Sequence, residues 1–337
     1  VGTTEGHQIF VDVLTRFAER SRNPRLTPII ARIALPPSVA VLGRDGVGRG
    51  TVGAALTRAG GTTPRARGRV TVTPDPKAAD VHVLVIAEAL KPEDRVDLAN
   101  ADRPIVTVLN KADLTGRSDG GPLTRAHRRA ADCRALTGVP MVALLAAADL
   151  NEELMSALRV LVTEPADLTS TDAFVRSGHP VRPELRRRLL AALDRFGIAS
   201  AVLALGEGAD AATVSTVLRR ASQVDRVVEH IEAAAAPVCY RRVRSAITEL
   251  YSLAVQSGDR RLADFLSTDE TVLGVMAAAV GVVEAAGVAV DRGDDAAAHL
   301  RRAVHWRRYS RGPVDALHRS CGADIARGSL RLLGRAR

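Results

Sequence analysis

Four glycines fall within the nine residues Gly43-Arg44-Asp45-Gly46-Val47-Gly48-Arg49-Gly50-Thr51, directly after the apolar run Ser38 to Leu42. Successive backbone N–H groups can converge on a phosphate where side chains stay clear and the chain can take left-handed conformations, and glycine meets both demands. Laid on the pattern G-x-x-x-x-G-K-[ST], Gly43 and Gly48 take the two glycine places. Arg49 stands where that pattern has lysine, and Gly50 where it has a hydroxyl residue. A planar guanidinium is broader than the compact ammonium that reaches between terminal phosphates. Gly50 brings no magnesium ligand, and Thr51 comes one residue late. The spacing also admits a dinucleotide fingerprint on Gly48, Gly50 and Gly53, although five residues then separate Leu42 from its first glycine. A plain glycine-rich turn from strand to helix is the reading without a ligand.

A second constellation, Asn110-Lys111-Ala112-Asp113, ends the apolar run Ile105 to Leu109. The chain has only three lysines, Lys77, Lys91 and Lys111, and only four asparagines, so chance rarely brings the two together ahead of an aspartate. Asp113 can accept hydrogen bonds from the N1–H and 2-amino group of guanine. Lys111 can lay its stem along the base, and Asn110 can tie its loop to the glycine-rich one. The alternative is a polar turn closing a strand.

Both constellations need strands to carry them. Ser38 to Leu42, Val70 to Thr73, Val81 to Ala87, Ile105 to Leu109 and Met141 to Leu145 are the strand candidates, and three of the last four are continuous apolar runs that suit strands covered on both faces. Helical composition lies between and after them, at Val52 to Leu56, Glu93 to Ala101, Leu123 to Leu136 and Asn151 to Val162. This alternation predicts an α/β fold with a parallel sheet built from right-handed crossovers. An amphipathic helix over His7 to Arg20 precedes it. Beyond Val181 the strand signals stop, and helices are expected at Arg182 to Phe196, Ala212 to Ser222, Asp225 to Val255, Asp269 to Val290, Ala296 to Tyr309 and Val314 to Leu333. The expected organisation is an N-terminal helical segment over 1–35, the sheet domain over 36–163, a proline-bearing linker over 164–183 and an all-helical bundle over 184–337.

With these residues in place, the stretch from about Leu35 to Val162 resembles a P-loop GTPase of the Ras-like class, of the Era or bacterial dynamin-like type. IAEALKPEDR followed by RPIVTVLNKADL is similar to that family's segment between its switch region and guanine recognition. The resemblance implies a P-loop GTPase-like sheet domain followed by a helical bundle, with GTP or GDP as ligand. Carried over residue by residue, it implies nucleotide contacts from Gly43, Asp45, Gly46, Val47, Gly48, Arg49, Gly50 and Thr51, and from Asn110, Lys111 and Asp113. Leu145 and Ala146 would occupy the turn that backs the base, where the family's serine is absent. Only 29 positions separate Thr51 from Asp80, too few for full switch regions, and no D-x-x-G follows Val70 to Thr73. Thr62 and Thr63 are the candidates for a threonine closing over magnesium. Such departures imply weak or absent hydrolysis, and leave room for a pseudo-GTPase that binds no nucleotide and serves as a scaffold.

Composition narrows the remaining classes. At 337 residues, with 46% hydrophobic and 25% charged residues, the chain is long enough for about two domains and unlike a disordered one. Cys133, Cys239 and Cys321 are too few and too scattered for a disulfide framework or a cysteine-rich zinc motif, which fits a reducing compartment. No cleavable leader pattern stands at the start, and a cytoplasmic protein, able to sit peripherally on a membrane, is expected. The net charge of +9 lies mostly in the last 38 residues, where ten arginines face Asp315 and Asp324. Arg301, Arg302, Arg307, Arg308 and Arg311, with Trp306 and Tyr309 among them, suit an acidic protein or an anionic membrane surface rather than a nucleic-acid sequence, and the reading without a partner, a solvated helix face with Trp306 packed into the bundle, is the preferred one. The apolar stretch Thr271 to Val290 contains Glu284 and reads as a buried bundle helix rather than a span.

Overall fold

A computed structural model of the chain describes residues 5–60, 69–115, 123–124, 126 and 138–336. The apolar runs form five parallel strands, β1 (Ser38–Leu42), β2 (Thr71–Val72), β3 (Val81–Ala87), β4 (Ile105–Asn110) and β5 (Val139–Pro140), in the order β2-β1-β3-β4-β5. Val, Ile and Leu dominate β3 because helices cover both faces of a parallel sheet, and its first six residues are all buried. Helices α3 (Arg49–Gly60) and α4 (Pro92–Ala99) follow β1 and β3. Pro92 sets the first turn of α4, and Asp94 accepts from the Lys91 N–H at 2.9 Å to close its capping box.

The strand expected at Met141 to Leu145 is not one. Met141 N–H still bonds to the Leu109 carbonyl at 2.8 Å, but Val142 N–H turns away to the Ser222 carbonyl at 3.0 Å, which ends the pairing. The Ala- and Leu-rich residues that follow then form a short helix, α5 (Ala143–Ala147), in keeping with their propensity. The expected strand at Val70 to Thr73 shortens to Thr71–Val72, paired with Ser38 and Val39. The helix expected at Leu123 to Leu136, most of its residues including Cys133, and the candidates Thr62 and Thr63 lie outside the described residues.

After the sheet come α6 (Glu152–Thr163), α7 (Thr171–Arg176), α8 (Pro183–Gly206), α9 (Ala211–Ser222), α10 (Val224–Ser257), α11 (Arg260–Ser267), α12 (Asp269–Ala285), α13 (Ala296–Tyr309) and α14 (Ala316–Arg335), with α1 (Glu5–Ser21) and α2 (Thr27–Ile33) preceding it. The chain forms two compact units, Val1–Pro37 with Ile231–Arg337 and Ser38–His230. The second boundary therefore falls within α10, not in the proline-bearing segment 164–183, and α8 and α9 share a core with the sheet. Within that segment α7 buries Phe174, and Arg186, itself 1% exposed, donates to the Ser177 carbonyl at 2.8 Å and to its hydroxyl at 2.9 Å.

The sheet unit closes around Leu84, Ile86, Leu109, Leu158, Leu193 and Ile198. The other unit is wholly helical among its described residues and closes around Phe10, Leu14, Tyr240, Leu250, Trp306 and Ile325. Its α12 ends at Ala285, short of the expected Val290, and its buried Val272, Val275, Ala279 and Val282 belong to this core. Among the described residues one helix, α8, is long and apolar enough to cross a membrane, and Asp194 breaks it midway with φ 52° and ψ −179°.

Candidate functional site

The strand order fixes where loops open. The chain leaves β1 for β2 on one side and leaves β3 for β4 on the other, so the loops after β1 and β3 diverge at their C-terminal ends. Such a switch point is where open parallel sheets leave a crevice for ligands.

The loop after β1 shows why its glycines are needed. Gly43, Gly46 and Gly48 have φ of 135°, 82° and 92°, all disfavoured for a residue with a Cβ. A Cβ at Gly43 would sit 2.4 Å from the Val85 carbonyl oxygen, and one at Gly48 would sit 2.5 Å from Asn110 Nδ2. Nothing crowds Gly50, which lies in the first turn of α3. The loop thus wraps closely on β3 and β4 and leads directly into a helix N-terminus.

Asn110 joins the two constellations. It is 4% exposed, its Nδ2 donates to the Val47 carbonyl at 2.9 Å, and its Oδ1 accepts from Ala143 N–H at 3.2 Å. Lys111 adopts φ 55° and sends Nζ to the Gly46 carbonyl at 3.0 Å. The Asn110–Lys111 pair therefore holds two consecutive carbonyls of the glycine-rich loop. Asp113 follows on a short helical turn and is partly buried. Burial pushes its pKa above the ordinary 3.8, and Asp194 adds to this, while Lys111 and Arg195 oppose it.

A cavity of about 290 Å³ opens between these loops, lined by residues 44–47 after β1, by Ala87, Glu88 and Lys91 after β3, and by Lys111 and Leu114 after β4. Three cations, Arg44, Lys91 and Lys111, meet two acids, Asp45 and Glu88. The buried Asp94 carboxylate holds Arg44 with contacts of 3.0 and 3.3 Å, and this hydrogen bonding raises the pKa of Arg44, with Glu93 and Glu88 adding to it. Arg49, the first residue of α3, is paired with Asp45 of the preceding loop at 2.6 Å.

Of the residues singled out in the sequence, Asp45, Gly46, Val47 and Lys111 line the cavity, and Asn110 lies behind it, linking the loops. Gly43, Gly48, Arg49, Gly50, Thr51 and Asp113 flank it without lining it. Leu145 is a core residue, so close to Gly197 that a Cβ there would come within 2.4 Å of its Cδ2, and Ala146 is partly buried on α5. Sequence reasoning passed over Arg44, Glu88 and Lys91. The signal for Lys91 was present, as one of the three lysines standing before Pro-Glu-Asp, a helix start.

The basic segment divides in two. Arg301, Arg307, Arg308 and Arg311 are exposed, whereas Arg302 is 5% exposed and bonded inside the helical unit, which removes it from any basic surface. Trp306 is 1% exposed and packs edge-on to Tyr309 at 4.9 Å. No group of His, Cys, Asp and Glu suited to a metal ion occurs among the described residues. Compared with protein-family models and with curated proteins, the chain matches none.

Proposed function

We propose that the sheet unit binds a guanine nucleotide at the C-terminal ends of β1, β3 and β4, with weak or absent hydrolysis. The observation that carries this reading is the double link from Asn110 to Val47 and from Lys111 to Gly46, which holds a base-recognition sequence against a phosphate-cradling one. Gly43 and Gly48 support it, because the loop lies so close on Val85 and Asn110 at these two points that a Cβ would clash. Residues 43–51 and the start of α3 would hold the phosphates through backbone N–H groups. Asp113 would recognise the base edge and Lys111 its face. Arg49 would offset phosphate charge after leaving Asp45. A bound nucleotide would supply the phosphoanhydride chemistry; for magnesium the loop offers no hydroxyl at Gly50, so the site would lack the metal ligand usual in the dynamin-like P-loop GTPases that the sequence resembles. The helical unit would couple the site to a partner or an anionic membrane surface.

Asp113→Asn tests the base assignment. The substitution replaces an acceptor pair with one acceptor and one donor, so preference should move from guanine to xanthine nucleotide by at least tenfold, about 1.4 kcal/mol. Unchanged preference contradicts the assignment.

A second reading, a pseudo-GTPase scaffold, is favoured by one observation. The Arg49–Asp45 pair ties the first residue of α3 back to the glycine-rich loop, occupying the cation that would meet phosphate. Arg49→Lys separates the two: if nucleotide binding is absent in both the parent and this variant, the scaffold reading stands.

A further inference from the structure

The helical unit contains a second cavity of about 280 Å³, with a construction unlike the first. Its floor is one stripe of α12, Leu273, Met276, Ala277, Val280 and Gly281, at the spacing that puts residues on one helix face. Val290 and, from α14, Leu332 extend the apolar lining. The loop that follows α12 brings Asp291, Arg292 and Asp294 to the mouth, and Arg302 of α13 forms part of the wall.

Arg302 is the unusual member. A buried guanidinium is ordinarily paired with a carboxylate, because desolvating a lone charge is strongly unfavourable. Here every bond it makes is to a neutral acceptor. Its Nε donates to Ser329 Oγ at 3.0 Å, one terminal nitrogen donates to the carbonyls of Asp291 at 2.8 Å and Gly293 at 3.0 Å, and the other donates to His299 Nδ1 at 2.6 Å. Four of its five N–H groups are thereby used, and no carboxylate is within bonding distance. Burial accordingly lowers its pKa, with Asp291 and Asp294 opposing from further off.

The neighbouring acids are engaged elsewhere. Glu284 pairs with Arg292 at 2.6 Å, Asp291 faces Arg301 at 3.7 Å, and Asp294 lies 3.5 Å from His299 Nε2 with its side chain at the surface. Because His299 Nδ1 accepts from Arg302, its remaining ring nitrogen carries the proton toward Asp294.

From these relations we infer that the cavity is a binding site for a small amphipathic carboxylate, its chain lying along Leu273, Met276 and Val280 and its head group meeting Arg302. The volume falls at the small end of ligand sites, which run from roughly 300 Å³ upward, and suits an unbranched acid of about ten carbons. The apolar stripe leads to a polar end where Arg302 and Arg292 stand with Glu284, Asp291 and Asp294, the three acids facing Arg292, Arg301 and His299. The position of the head is fixed by a group whose other four donors already hold it in place.

Calorimetric titration of the full chain with decanoate and with decan-1-ol, below their aggregation concentrations, tests this. Decanoate is expected to bind at least tenfold more tightly than the alcohol. Leu273→Trp, a substitution at a partly exposed position that fills the stripe, should weaken decanoate at least tenfold. Arg302→Lys, which keeps the charge and removes the fork, should do the same, with circular dichroism verifying that both variants are folded. Leu273→Trp keeps the test decisive should Arg302→Lys fail to fold. No decanoate binding to the parent protein, equal affinity for acid and alcohol, or undiminished binding by Leu273→Trp would each overturn the inference.

Discussion

Glu88 and Lys111 stand at matching places on adjacent strands. Ala87 and Asn110 are register partners at the ends of β3 and β4, and the residue after each is left-handed, with φ of 64° at Glu88 and 55° at Lys111. Both line the cavity at the switch point. A non-glycine residue in this region carries about 1 kcal/mol or more of strain, which persists where surrounding structure fixes it and is common at functional sites. Lys111 has a visible compensation in its bond to Gly46, and Glu88 has no comparable hydrogen bond. Glu88→Gly is therefore expected to stabilise the protein by about 0.5–1 kcal/mol in urea denaturation, whereas Lys111→Gly should gain nothing net. Equal stabilisation by both would contradict this account of Lys111.

The link through Asn110 makes a second expectation. Asn110→Ala would leave the Val47 carbonyl and the Ala143 N–H without their partner in a buried place, at a cost of about 2–3 kcal/mol. Gly48→Ala attacks the same contact from the other side, adding a Cβ 2.5 Å from Asn110 Nδ2 at φ 92°. The two losses should be strongly non-additive in a double-mutant cycle, since both break one contact. Additive losses would separate the loops energetically.

Asp113 gives a pH signature. Burial raises its folded pKa above the unfolded one, so the folded state holds the proton more tightly. Its favourable contribution is present below the ordinary carboxylate value and is lost as pH rises through the raised folded value. Asp113→Asn should thus be more stable than the parent without ligand near pH 7, and the gap should close toward about pH 4. Denaturation curves at the two pH values measure it, and a gap independent of pH would refute the burial effect.

In the helical unit, Tyr240 Oη donates to Asp324 Oδ2 at 2.7 Å, and Arg244 lies 3.2 Å from the same carboxylate. Burial pushes the nearby Cys321 thiol up to about 12, and Cys239 is 6% exposed. Iodoacetamide at about pH 8 should leave both cysteines unmodified in the native protein and label both in denaturant, as read by peptide mass spectrometry, because only the thiolate attacks. Rapid native labelling of Cys321 would contradict its burial. Asp324→Ala should cost about 2–4 kcal/mol by stranding the Tyr240 hydroxyl.

How much of this could be read beforehand varies with the physics involved. Continuous apolar runs made β1, β3 and β4 legible, because burial on both faces writes itself into composition. The run at Met141 to Leu145 misled for the same reason: it is buried, but a hydrogen bond from Val142 to the distant Ser222, which no local pattern encodes, turns it into a helix. The proline-bearing segment 164–183 looked like a linker, yet Phe174 is buried in the core shared with the sheet and Arg186, just beyond it, bonds back to Ser177. The two constellations were visible as residue types. The place of Arg44 and Lys91 beside them was not, because strand order, which sequence does not reveal, decides which loops face one another. Arg302 was taken for surface charge, since its burial depends on Ser329 and the carbonyls after α12.

Isothermal titration of the full chain with GDP, GTP, ADP and ATP, each with and without magnesium, addresses nucleotide recognition most directly. Saturable binding of the guanine nucleotides, at least tenfold tighter than the adenine ones and largely kept when magnesium is withheld, is the predicted result. Equal affinity for guanine and adenine nucleotides, or no heat from any of the four, would contradict it.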